Sequence, residues 1–230
     1  MKPQQIQQII SNTYKYNRNN DYEVDGYKID KSLSGKRVSV YHNPTTNKTV
    51  ISHRGTKLNS LSDWSNNFRY MIGDYDNTKR LKHAKKIQKQ TEDKYGAENL
   101  TNIGHSQSGI INRKVGTNAK QIINVNPAYT NEKKGKNEIN IKSQYDPISM
   151  LMNKNDVDYN IKTNSINPLK NHSSKILNNL DENEIIGKGI KNNPWVEFVK
   201  SYSKQYNLTY KEAMIKAKKI YNSVYIKTKF

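Results

Sequence analysis

The stretch NLTNIGHSQSGIINRKVG, residues 99–116, constrains the chain more than any other. A short apolar segment runs without a spacer into a helix-forming one, across a corner that contains Gly104, Ser106, Ser108 and Gly109. Where a strand turns this sharply into a helix the two backbones approach closely, and the residues around the turn must be small. The side chain at the apex, Ser106, is then exposed at the top of a sheet. Ser108 stands where a second glycine would complete a G-x-S-x-G box, and its added side chain is expected to be tolerated at some cost in strain.

The surrounding pattern extends this unit into a domain. DGYKID, KRVSVYHN and KTVISHRG read as strands, and the turn-rich NPTTNK makes Arg37 to His53 a β-hairpin. A helix is predicted from Ser60 to Ile72, started by Ser60 and Asp63, with Leu61, Trp64, Phe68 and Met71 on one face. A longer one follows from Asn77 to Tyr95, with Leu81, Ala84, Ile87 and Tyr95 inward and Lys79, Arg80, Lys82, Lys85, Lys86 and Lys89 outward. QIINV, EINIKSQ and VDYNI read as three further strands. The order predicts an α/β fold over residues 21–189, a mostly parallel sheet flanked by helices. Residues 1–20 read as a polar N-terminal segment, one short helix and then coil. Residues 190–230 read as a separate C-terminal helical hairpin. Its first helix starts at Asn193-Pro194 and carries Trp195, Phe198, Val199, Tyr202 and Tyr206 in one stripe. Its second starts at Thr209 and Glu212 and carries Ala213, Ala217, Ile220, Tyr221 and Val224.

Composition narrows the chemistry. Lys and Arg exceed Asp and Glu by 39 to 20, a net charge of +19. Such a field draws polyanions, whether nucleic acid or an anionic membrane surface, unless the lysines merely solvate the surface. There is no cysteine, which excludes disulfides, thiolate metal ligands and a cysteine nucleophile. No phosphate-cradling glycine loop or metal-ligand spacing is present, so no cofactor and no metal are expected. The N-terminus has no apolar h-region and no segment is long enough to span a bilayer, which reads as an intracellular protein without signal peptide or transmembrane segment.

A serine hydroxyl becomes a nucleophile only with a base, a carboxylate that orients the base, and donors for the oxyanion. In α/β-hydrolases these follow in the order nucleophile, acid, histidine. Downstream of Ser106, SQYDPIS places Asp146 where a strand ends and a proline stops it. The one histidine beyond it is His172, in NPLKNHSSKIL. His105 lies on the corner beside Ser106 and points elsewhere. The alternatives are a polar loop serine, a turn aspartate and a surface histidine.

These residues carry a resemblance. VISHRGTKLNSLSDWSNNF is similar to the Arg-Gly-Thr/Ser…Asp-Trp stretch of class 3, or fungal-type, lipases, and IGHSQSGI to that family's G-H-S-x-G-G elbow. VNPAYTNE, SQYDPISML and NPLKNHSS resemble its post-elbow strand, its acid segment and its late histidine. The resemblance implies an α/β-hydrolase core and a serine esterase or lipase. It gives Ser106 as nucleophile, His172 as general base and acid, and Asp146 as its partner. It makes Thr56 and the backbone N–H of Gln107 the oxyanion donors, with Arg54 and Asp63 bracing the loop and Trp64 packing. The substrate implied is an ester or lipid; a small ester or a phospholipid headgroup suits a basic surface. His53 departs from the family's usual aromatic or aliphatic residue. The tail, NPWVEFVKSYSKQYNLTYKEAMIKAKKIYN, resembles a C-terminal helical segment of large DNA virus and virophage proteins. That implies a host-cytoplasmic or virion location. Basic helices with interleaved aromatics can bind nucleic acid or a virion component through residues 190–230, unless the aromatics simply form the hairpin's own small core. The rival reading is a catalytically inactive hydrolase-fold protein that binds such a partner.

Overall fold

The computed structural model describes residues 1–56, 78–128, 130, 132–163, 165 and 167–180, and from the C-terminal region residues 199, 202, 203, 206–209, 212, 213, 216 and 217. The helix expected over Ser60 to Ile72, with Asp63 and Trp64, lies outside the described residues, as does most of the expected hairpin.

Eight strands form one sheet in sequential order: β1 (Glu23–Val24), β2 (Tyr27–Ile29), β3 (Val38–Asn43), β4 (Lys48–His53), β5 (Leu100–His105), β6 (Gln121–Val125), β7 (Glu138–Ser143) and β8 (Tyr159–Ile161). The first four pair antiparallel, and β4 through β8 pair parallel. Local chemistry sets this division. Asp25 and Gly26 both take positive φ, the condition for a two-residue hairpin turn, and join β1 to β2. The β3–β4 hairpin closes because the Asn43 side chain accepts from the backbone N–H groups of Thr45 and Thr46 while Asn47 adopts φ 51°. After β4 each return to the sheet is parallel, as expected from the strand–helix alternation.

Among the described residues four named helices accompany the sheet: α1 (Pro3–Tyr14), α2 (Lys79–Tyr95), α3 (Ser108–Val115) and the short α4 (Pro168–Asn171). Leu81, Ala84 and Ile87 are buried on α2 as their spacing predicts. The helix begins at Thr78, whose side chain accepts from the Leu81 N–H, and ends at Gly96, which takes φ 80°. On α1, Ile6, Ile9 and Ile10 fall on one face and are buried. They enter the main core with Val50, Ile103, Ile123, Val125, Ile141 and Ile161 from the sheet, and with Ile176 and Leu177 from a 3-10 helix at Ser174–Asn179. The segment that looks merely polar in sequence therefore packs against the centre of the domain.

The opposite face of the parallel strands is built differently. Asn102, Asn124 and Asn140 are buried there on successive strands. Gln88 accepts from Asn102 at 2.7 Å, Asn124 accepts from Asn112 at 3.1 Å, and Asn140 accepts from Asn124 at 3.0 Å. Glu138, fully buried, accepts from Asn124 at 3.1 Å and from the Arg113 guanidinium at 2.5 and 2.9 Å. Buried amides and charges destabilise a fold unless each is hydrogen-bonded. Here the amide and guanidinium N–H groups are bonded within the network, while the Oδ1 atoms of Asn102 and Asn112 are buried without a partner among the described residues.

The buried Arg113–Glu138 pair yields a stability prediction. Glu138→Ala leaves the Arg113 guanidinium, 9% exposed, without its charge partner and, among the described residues, with only the Glu132 carbonyl at 2.7 Å, and is expected to cost about 3–5 kcal/mol in urea unfolding. Lys89→Ala breaks an ion pair between side chains 77% and 61% exposed, and is expected to cost no more than about 0.5 kcal/mol.

Candidate functional site

The C-terminal ends of the parallel strands bring the sequence candidates to one edge of the sheet, the position where α/β sheets bind ligands. Ser106 follows β5 directly and takes φ 62°, a left-handed conformation rare outside glycine. That is the strained apex a strand-to-helix corner requires. The small neighbours are needed: a methyl group on Gly104 would lie 2.9 Å from the Ser108 backbone, and one on Gly109 would lie 2.7 Å from Pro127.

Ser108 departs from the expectation of strain. Its backbone is not among those with positive φ. It is fully buried, accepts from the His105 N–H at 2.6 Å and donates to the His105 carbonyl at 2.8 Å. The extra hydroxyl laces the corner instead of crowding it.

Asp146 and His172 are in direct contact. His172 Nδ1 lies 2.8 Å from Asp146 Oδ1, both residues are buried, and their strands and turns explain why. Asp146 closes a turn after β7, where its carboxylate accepts from the Ile148 N–H at 3.2 Å and the Ser149 N–H at 3.0 Å, and from the Ser149 hydroxyl. It is thus a turn residue and a partner of His172 at once. Burial alone would raise its pKa. The His172 imidazole, the Ser149 hydroxyl and Lys142 outweigh that and hold it below the ordinary carboxylate value. His172 caps the end of α4, a turn set by Asn167 as N-cap and Pro168 as first residue. With Nδ1–H donated to the carboxylate, the basic lone pair of a neutral imidazole sits on Nε2.

Ser106 is tied to this pair through its neighbour. His105 Nε2 lies 2.5 Å from the His172 carbonyl oxygen, and the two rings stand 4.9 Å apart. Burial, and next the presence of His172, push the His105 pKa down to about 3, so the ring is neutral. A carbonyl only accepts, so His105 carries its proton on Nε2 and its Nδ1 accepts from the Tyr14 hydroxyl at 2.9 Å. As its position on the corner suggests, His105 points away from the base role.

Thr56 and Gln107 also meet. The Thr56 hydroxyl donates to Gln107 Oε1 at 2.7 Å, and Arg80 donates to that oxygen and to the Arg54 carbonyl. Gly55 is pressed against the corner: a methyl group there would lie 3.1 Å from the Ser106 Cβ and would collide with the His105 carbonyl and the Tyr14 hydroxyl. The loop 54–56 is therefore braced at the Arg54 main chain by Arg80, which the helical pattern had placed on the outer lysine face of α2. His53, the departure at the end of β4, is buried; burial and then Arg80 push its pKa down to about 3.

Three contributors escaped the sequence reading. Tyr14 joins the loop to the corner: its hydroxyl lies against Gly55, and burial pushes its pKa up to about 12 against the pull of Arg80 and of the Gly55 main chain. The spacing Ile6, Ile10, Tyr14 could have turned it inward. Asn126, at φ 44° after β6, accepts from the Ser143 N–H at 2.8 Å and donates to the carbonyls of Asn171 at 2.8 Å and Ser173 at 3.3 Å, the residues on either side of His172. An asparagine between a strand and a proline, a residue that tolerates left-handed backbone, was the only signal. Ser149 falls three residues after Asp146, the spacing of a side chain that closes an aspartate turn.

Among the described residues no group of three or more His, Asp or Glu is placed to hold a metal ion, and no helix is long and apolar enough to cross a membrane. No protein-family model matches the chain, and no curated protein matches it.

The Asn126 bonds make a measurable claim. Asn126→Gly keeps the left-handed backbone and removes the side chain. It is expected to cost about 1–3 kcal/mol of stability. On any ester the protein turns over, kcat is expected to fall about ten- to a hundredfold with KM little changed, because the loop bearing His172 loses its tether to β7.

Proposed function

We propose that this chain is a serine hydrolase with an α/β-hydrolase core of the class 3 lipase type, cleaving carboxylic esters through an acyl-enzyme. The observation that supports the reading is the buried Asp146–His172 pair, at 2.8 Å, which packs against His105, the neighbour of a serine with φ 62° that follows the parallel strand β5. In this reading the Ser106 hydroxyl adds to the ester carbonyl as His172 Nε2 takes its proton. Asp146 keeps the imidazole in the right tautomer and stabilises the imidazolium. The negative charge on the former carbonyl oxygen meets the main-chain N–H groups of Gln107 and Thr56, since the Thr56 hydroxyl is already engaged on Gln107. The imidazolium returns the proton to the leaving alcohol, and water repeats the sequence to release the acid and free Ser106.

A small ester or a phospholipid is the substrate class this reading favours, because the net charge of +19 draws anionic surfaces. A second reading keeps the fold as scaffold for binding a polyanion. It is favoured by the exposed lysines of α2, Lys79, Lys82, Lys85, Lys86 and Lys89, and by the nine lysines against two glutamates in residues 191–230. In the C-terminal segment, Val199, Ala213 and Ala217 are buried together and pack with Tyr202, Leu208 and Met150. Thr209 and Glu212 exchange capping hydrogen bonds at 2.8 and 3.3 Å. These contacts support a helical hairpin seated on the turn that follows Asp146. The likeness of this tail to segments of large DNA virus and virophage proteins supports a viral source and a virion or nucleic-acid partner.

The discriminating experiment is a panel of p-nitrophenyl esters of graded chain length beside anionic and zwitterionic phospholipids. Wild-type protein is expected to hydrolyse at least one of them, Asp146→Asn to lose about 10,000-fold in kcat, and Ser106→Ala to fall to background. Turnover that survives Ser106→Ala, or a folded wild type inert on the whole panel, would contradict the reading.

A further inference from the structure

Lys142 lies on β7, between Ile141, which enters the apolar core, and Ser143 at the strand end. It points to the face that carries the buried asparagines and is only 7% exposed. Its ammonium donates to the Ser149 carbonyl at 3.1 Å. Ser149 is the residue whose N–H and hydroxyl both bind the far oxygen of Asp146, the one that does not contact His172. One serine thus stands between a buried cation and a buried carboxylate, with the imidazole on the carboxylate's other side. Among the described residues Asp146 is the charged group that bears on Lys142. The charges acting on Asp146 are those of His172 and Lys142.

A buried lysine is an expensive choice at this position. Burial pushes its pKa down to about 8, and Asp146 only partly restores it. The folded state therefore holds its proton less tightly than the unfolded chain does. The destabilisation is fully present below about pH 8, and it fades as pH rises from there towards the ordinary lysine value near 10.5. An apolar or amide side chain of similar length would avoid it. A group that lowers stability and still occupies the flank of a functional pair points to a task in that pair.

We propose that Lys142 is a built-in counter-cation to the Asp146–His172 pair, whose charge opposes protonation of the imidazole and so extends the pair's working range to lower pH. Lys142 touches no substrate and is a positioning residue that acts through Asp146. The physical reason is like-charge repulsion: an ammonium buried on the far side of the carboxylate disfavours a second cation on its near side. While Lys142 is charged, forming imidazolium at His172 costs that repulsion, which offsets part of the attraction of Asp146. Remove the charge and the imidazolium is favoured, so the base is captured by a proton at higher pH.

The kinetic arm of the test rests on the hydrolase reading above; the spectroscopic arm does not. Lys142→Gln retains a donor for the Ser149 carbonyl and drops the charge, Lys142→Met drops both, and Lys142→Arg keeps the charge. In wild type and the three variants, the acid limb of kcat/KM is followed on a p-nitrophenyl ester. The His172 ring is followed by NMR with labelled histidine, assigned through His172→Asn. For Lys142→Gln and Lys142→Met the acid limb and the His172 titration are expected to move up together by about one pH unit, about tenfold in rate below the limb. Lys142→Arg is expected to stay near wild type in both. The melting temperature of Lys142→Met at pH 7 is expected to equal or exceed that of wild type. A Lys142→Gln protein whose His172 titrates as in wild type overturns the proposal, whatever happens to its stability. If no ester is turned over but the His172 titration moves as expected, the hydrolase reading fails and the counter-cation stands.

Discussion

A carboxylate sealed inside a protein is unstable unless several donors converge on it, and the arrangement around Asp146 follows from meeting that requirement. Two backbone N–H groups, a serine hydroxyl and the His172 ring all point at it. Each comes from a different piece of local chemistry: the proline turn after β7, Ser149 three residues on, and the Asn-Pro start that ends α4 at His172. The partners lie 26 residues apart in the chain, and the sheet together with α1, packed in one core with the 3-10 helix that follows His172, holds them in place. The hydrogen bond is thereby a consequence of the whole fold, and its loss would leave a charge with too few partners in a place water does not reach.

Around that bond the structure uses side-chain ties between loops that share no secondary structure. Tyr14 joins the loop of Gly55 to His105. His105 joins the corner of Ser106 to the carbonyl of His172. Asn126 joins the flanks of His172 to the end of β7. Loops are the mobile part of most domains, and chemistry placed on them needs such support. Here the supports are neutral, since burial keeps His105 uncharged and Tyr14 protonated. They fix geometry without adding charge next to Ser106.

Much of this was legible in the amino-acid pattern. The strand periods of Val38 to His53 and the helix face of Leu81, Ala84 and Ile87 predict elements that the structure has, and the small residues around Ser106 stand where strand and helix approach closely. Asp146 was read from the proline that stops its strand and His172 as the one histidine beyond it, and the structure sets the two 2.8 Å apart. What stayed hidden depends on contacts between distant segments. A tyrosine at the end of a polar-looking helix, an arginine on a lysine-rich face and a lysine inside a strand have ordinary surface readings. Tyr14, Arg80 and Lys142 acquire their roles only from what lies opposite them. The amide network of Asn102, Asn124 and Asn140 was hidden for the same reason, because hydropathy counts each asparagine as polar surface whether or not it has a partner.

The proposed activation of Ser106 by His172 is open to direct measurement. Incubation with a fluorophosphonate, followed by peptide mass spectrometry, addresses it. A single stoichiometric adduct is expected on the peptide bearing Ser106 in the wild-type protein, with labelling slowed at least about a thousandfold in a folded His172→Ala variant. A folded wild-type protein that stays unmodified, or one labelled equally fast without His172, would contradict the proposed activation.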